Sequence, residues 1–117
     1  MKILVVDDDQ DQRHLRSQLL IRHGFDTFEA PDRATATRLA IEHRPSAVVL
    51  DLGLPTTEDG LALIRELRSL DAAVHLIVLT GRNRRILETR PEAELIDHLM
   101  VKPASTAQLV RALRAYQ

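Results

Sequence analysis

Short apolar runs alternate with amphipathic stretches along this chain. Ile3 to Val6 and Ala47 to Leu50 are runs rich in branched residues, the pattern of strands buried on both faces. Phe25 to Glu29, His75 to Leu79 and Leu99 to Val101 read as three further strands. Asp9 can cap a first helix, which carries Leu15, Leu19 and Leu20 and stops at His23-Gly24, with Gly24 suited to the left-handed position. Pro31-Asp32 opens a second helix that runs through His43 and is stopped by Pro45. Asp51 to Glu58 reads as a loop broken by Gly53 and Pro55, and Leu61, Ile64 and Leu67 mark one face of a third helix. Between Arg84 and Glu94 a fourth helix is expected to be short or broken, because Pro91 inside it would cost about 3 kcal/mol or more. Ser105 and Gln108 form a capping box for the last helix, whose buried face is expected to hold Thr106, Leu109, Val110, Leu113 and Tyr116.

Strands alternating regularly with helices predict an α/β fold, a doubly wound parallel sheet covered on both faces. The chain length of 117 residues fits one domain, 1–117. In the flavodoxin-like (βα)5 arrangement, with strand order 2-1-3-4-5, ligands bind at the carboxyl ends of the strands. The residues placed there are Asp7, Asp8 and Asp9 after the first strand and Asp51 after the third. Thr80-Gly81 follows the fourth, and Lys102-Pro103 the fifth. Converging carboxylates repel one another unless a cation lies between them, and a hard, oxygen-seeking ion such as Mg²⁺ suits that donor set. Such a site can perform phosphoryl transfer to a carboxylate, with a lysine and a hydroxyl holding the phosphoryl oxygens.

The motifs Val5-Val6-Asp7-Asp8, Asp51-Leu52-Gly53-Leu54-Pro55, Leu79-Thr80-Gly81 and Lys102-Pro103, in this order and spacing, resemble the receiver domain of two-component response regulators over the whole chain. The resemblance implies that Asp51 is the phosphoacceptor. It implies that Asp8 binds Mg²⁺ directly, that Asp7 binds it directly or through water, and that Gly53 lends its backbone carbonyl. Thr80 would bond the phosphoryl group, Lys102 would neutralise one of its oxygens, and Pro103 would follow a cis peptide bond. The implied phosphodonor is a histidine kinase or a histidine phosphotransfer protein, and the implied role is a switch that assists its own phosphorylation and dephosphorylation, not an enzyme.

Several positions depart from the family pattern. Asp51 to Gly60 is one residue longer than the commonest spacing, with the extra residue within Thr56 to Asp59. Leu99 stands where an aromatic switch residue is common, three before the lysine, and Gly81 stands where alanine is common. Asp9 matches no family role. The stretch Asp97 to Pro103 is more similar to receivers of hybrid histidine kinases. An alternative reading is a receiver that is never phosphorylated and serves only as an interaction module. A haloacid-dehalogenase-like phosphatase fits poorly, because the best nucleophile follows the third strand and not the first. A flavodoxin fits poorly because three carboxylates would repel a phosphate.

Composition narrows the partners. The chain lacks cysteine, which excludes disulfides and thiolate sites. Its five histidines show no ligand spacing. With 16 basic and 17 acidic side chains the formal charge is −1, from which no direct nucleic-acid binding and no membrane association are expected. A basic run, Arg82 to Arg85, reads as a solvated helix start, with partner docking as the sharper alternative. No leader-like apolar run is visible, so a cytoplasmic location is expected. Met1 directly before the first strand suggests a natural start. The chain is then either a stand-alone receiver or a part of a larger regulator.

Overall fold

The computed structural model describes residues 1–81 and 84–116. Half of the basic run, Arg82 and Asn83, lies outside the described residues. Five parallel strands, β1 (Lys2–Val6), β2 (Asp26–Ala30), β3 (Ala47–Asp51), β4 (His75–Thr80) and β5 (His98–Val101), form one sheet in the order β2-β1-β3-β4-β5. The chain order and the flavodoxin-like topology are those expected from the alternation of strand and helix signals.

Helices α1 (Gln10–Arg22) and α5 (Thr106–Arg114) cover one face of the sheet, and α2 (Arg33–His43) and α3 (Thr57–Leu70) the other. The period-2 pleat divides the strand residues between two cores. Ile3, Val5, Val49, Ile77 and Leu79 pack with Leu20, Leu109 and Leu113. Leu4, Val6, Val48, Leu50 and Val78 pack with Ala36, Leu61, Ile64 and Leu67. Register then brings the strand ends level: Val6 pairs with Leu50, Asp51 with Leu79, and Thr80 with Val101.

Three local readings shift. Strand β2 starts one residue later than expected, because the Phe25 N–H closes the end of α1 by donating to Leu20 O at 3.2 Å while Gly24 takes φ +93°. The third helix begins earlier than expected. Thr56 caps it by accepting from the Asp59 N–H and donating to the Asp59 carboxylate, so Glu58 lies in its first turn. That cap sits within the stretch holding the extra residue. Leu15 is 61% exposed, and the inward stripe of α1 runs instead through Arg16, Ser17 and Leu20.

The fourth helix is short, as the proline predicts. Among the described residues helix α4 covers Arg84–Leu87, and a 3₁₀ helix starts at Pro91 and ends at Leu95. Polar ties hold this segment. Arg68 on α3 donates to Ala72 O and Val74 O, and reaches across to Leu95 O at 2.7 Å and Asp97 Oδ2 at 2.9 Å. Arg65 pairs with the buried Glu92, and Arg90 forks onto Glu58.

A second tie joins α2 to α3. Glu66 accepts from Arg33 Nε at 2.7 Å and from the Thr37 hydroxyl at 2.8 Å. The Arg33 bonds hold the Glu66 carboxyl below its ordinary value of 4.5, against the opposing effect of burial. A carboxylate lowered on folding stabilises the fold above its unfolded pKa, and that contribution disappears as pH falls through the folded value. Melting temperature measured from neutral pH into acid should therefore fall less steeply for Glu66→Gln than for wild type. The difference should be small, because the carboxylate is one-third exposed. Parallel curves would show that the tie contributes nothing.

Candidate phosphoacceptor site

Every residue of the site lies at, or one or two residues beyond, the carboxyl end of a strand. Asp7 continues β1, its N–H donating to Ala30 O on β2, and its side chain is 1% exposed. One carboxylate oxygen, Oδ1, accepts the Asp9 N–H at 2.9 Å, and Oδ2 accepts Arg16 Nη1 at 3.1 Å. Arg13 Nη1 donates to the Asp7 carbonyl at 3.0 Å while its Nε pairs with Glu29 at 3.2 Å. Asp8 is exposed. Asp9 turns outward and caps α1, accepting the Gln12 N–H at 3.0 Å.

Asp51 is the last residue of β3. Its Oδ1 accepts the Gly53 N–H at 3.0 Å, which bends the chain back over the carboxylate, and its Oδ2 accepts the Lys102 ammonium. The Leu52 N–H donates to Leu79 O at 3.0 Å and anchors this turn to β4. Thr80 ends β4 and is fully buried, and its carbonyl accepts the Lys102 N–H at 2.7 Å. The Lys102–Pro103 peptide bond is cis. Leu99, 40% exposed, lies beside Val78 in the register of β5 on β4.

The structure thus brings Lys102 onto Asp51 and sets Gly53 and Thr80 beside them. It does not gather the acidic residues into a metal cage: among the described residues no three acidic or histidine side chains are close enough to hold an ion. Asp7 and Asp51 each carry a side-chain cation already, Arg16 and Lys102. The donors themselves, carboxylate oxygens and a backbone carbonyl, fit a hard divalent ion.

The two arginines on Asp7 are the residues that reading the sequence passes over. Arg16 stands four residues before Leu20 and so on the same helix face, which is the buried one. An arginine on an inward face requires an anion or carbonyls to receive it, and that is the signal that could have pointed to Asp7.

Comparison with known proteins agrees with this architecture. A family model described as the response regulator receiver domain matches residues 3–114. The transcriptional regulatory protein PrrA of Mycobacterium tuberculosis is 37% identical over 97% of this chain and 48% of its own length. The transcriptional regulatory protein PhoP of Escherichia coli is 32% identical over 98% of this chain and 51% of its own. A response regulator receiver domain protein from Clostridium thermocellum superposes with TM-score 0.89 at 23% identity, covering 98% of this chain and 92% of that one. The chain spans about half the length of the curated relatives it matches. These relatives correct one expectation. The expectation of no direct nucleic-acid binding, drawn from a near-zero net charge, does not stand, because proteins named as transcriptional regulators share this segment. No described helix is long and apolar enough to cross a membrane. The chain belongs to the response regulator receiver domain family of two-component signalling.

Proposed function

We propose that Asp51 accepts a phosphoryl group from the phosphohistidine of a histidine kinase or histidine phosphotransfer protein, in a reaction that depends on Mg²⁺. The observation that carries this reading is the Lys102 ammonium on Asp51 Oδ2, at strand ends that also present Thr80 and the acidic pair Asp7-Asp8. Asp8, Asp51 and the Gly53 carbonyl would hold the ion, with Asp7 reached directly or through water. Bound there, Mg²⁺ supplies charge neutralisation at the equatorial phosphoryl oxygens.

The remaining work falls to side chains of the protein. An Asp51 carboxylate oxygen attacks phosphorus as the phosphorus–nitrogen bond of the donor breaks, and the bonding pair leaves with the imidazole. The Gly53 N–H keeps the carboxylate oriented through Oδ1. The ammonium of Lys102 moves from Asp51 Oδ2 to a phosphoryl oxygen, so the positive charge is in place before the group arrives. The Thr80 hydroxyl donates to another phosphoryl oxygen and couples its arrival to the end of β4. The likeness to PrrA and PhoP supports an output in control of transcription.

With Mg²⁺ and acetyl phosphate, intact mass should rise by one phosphoryl group, and a chelator should prevent the rise. Uptake that persists in chelator would remove the metal from the mechanism. No uptake from any competent donor would sink the acceptor role.

A further inference from the structure

A guanidinium already holds Asp7, a carboxylate of the proposed Mg²⁺ site. Arg16 reaches the site from the inward stripe of α1, with its side chain 18% exposed, and donates through Nη1 to Asp7 Oδ2 at 3.1 Å. Asp7 has little solvent to compensate its charge, being 1% exposed. Its other oxygen is taken by the Asp9 N–H. The neighbouring Arg13 differs: its charge is met by Glu29, and it gives Asp7 only a bond to the backbone carbonyl. The positive charge delivered to the Asp7 carboxylate is therefore that of Arg16.

We propose that Arg16 is a resident counter-cation of Asp7, and that Mg²⁺ binds by taking over or sharing its hold on that carboxylate. Arg16 is a positioning residue: it fixes Asp7 in the metal-free protein and sets the ion concentration at which the site loads. The inference rests on the Mg²⁺-dependent reading above. Its sign follows from Coulomb's law. A guanidinium on the carboxylate repels a divalent ion approaching the same cluster. At about 6 Å and water-like screening, that repulsion weakens binding on the order of tenfold. The same contact holds the buried Asp7 charge, so removing it lowers the stability of the metal-free form.

The test is a Mg²⁺ titration of the intact chain, followed by chemical shifts of the backbone amides at the strand ends and by melting temperature. Arg16→Gln should bind Mg²⁺ about tenfold more tightly than wild type and melt lower without metal, and Mg²⁺ should restore more of its stability. Arg16→Lys, which keeps the charge, should stay near wild type in affinity. In wild type itself, the Arg16 side-chain Nε–H resonance should move with the same midpoint as the amides, a readout that needs no variant to fold. Equal affinities for wild type and Arg16→Gln, or an Arg16 resonance unmoved while the amides titrate, would overturn the proposal and leave the phosphoacceptor reading standing. Absence of any Mg²⁺-induced shift in wild type and in Arg16→Gln would overturn both.

Discussion

Asp51→Asn should take up no phosphoryl group from any donor that loads the wild type, and should still fold. An amide is not a usable nucleophile toward phosphorus, so the effect on uptake is complete and not graded. The fold survives for a local reason. An asparagine keeps the side-chain oxygen that accepts the Gly53 N–H, so the turn after β3 retains its bond. The loss is the charge partner of Lys102, whose side chain is 33% exposed and can turn to water. Stability should therefore change by about 1 kcal/mol or less. Intact mass with donor and Mg²⁺, alongside thermal melts of both proteins, separates the two effects. Wild-type uptake by the variant would move the acceptor elsewhere, with exposed Asp8 the first residue to examine.

Gly60→Ala should destabilise the fold strongly, against the usual direction for this substitution. Inside a helix, alanine for glycine ordinarily gains about 1 kcal/mol. Here α3 crosses the turn after Asp51 so closely that a Cβ on residue 60 would collide with the backbone carbonyl of Leu52, its oxygen and its carbon alike. Backbone, not a flexible side chain, blocks the space, and neither partner can retreat easily. Leu52 is held by its N–H bond to Leu79 O and by its buried side chain, while Leu61 and Ile64 fix the helix in the core. Overpacking of this kind should cost about 3 kcal/mol and lower the melting temperature by roughly 10 °C. An unchanged melting temperature would mean that α3 can lift off the turn. Because Leu52 adjoins Asp51, the variant should also load more slowly than its residual folded fraction explains.

What the sequence alone discloses here follows from which interactions are local. Parallel strands buried on both faces leave unbroken apolar runs, so the bounds those runs predict for β1, β3 and β4 lie within a residue of the observed ones. Pro91 fixes the break after α4 through a missing donor and a ring clash, both properties of one residue. Asp51, Thr80 and Lys102 were legible because strand order and strand ends together bring them to one edge. Arg16 was not, since its role depends on which face of α1 turns inward. Of the expected Leu15, Leu19 and Leu20, Leu20 is buried, beside Ser17, while Leu15 faces solvent. The start of β2 was missed because the helix stop at Gly24 draws in Phe25, a contact between residues five apart. Net charge misled about partners because a sum over residues carries no information on where charge is placed, or on what the other half of a longer relative contributes.

Besides the packing of Ala93, Leu95 and Ile96 on the core, ion pairs fasten the 3₁₀ helix Pro91–Leu95 and its flanks to α3, and ionic ties answer to the medium. Arg90–Glu58, Arg65–Glu92 and Arg68–Asp97 each have at least one partner whose side chain is a third or more exposed. Dissolved ions screen such pairs, whereas the leucine and valine contacts beneath the sheet are indifferent or slightly strengthened. Local opening of this segment is therefore expected to respond to ionic strength more than the global fold does. Glu58 belongs to the first turn of α3, just beyond the turn that follows Asp51, so the stretch after Asp51 and the segment before β5 share one ionic fastening.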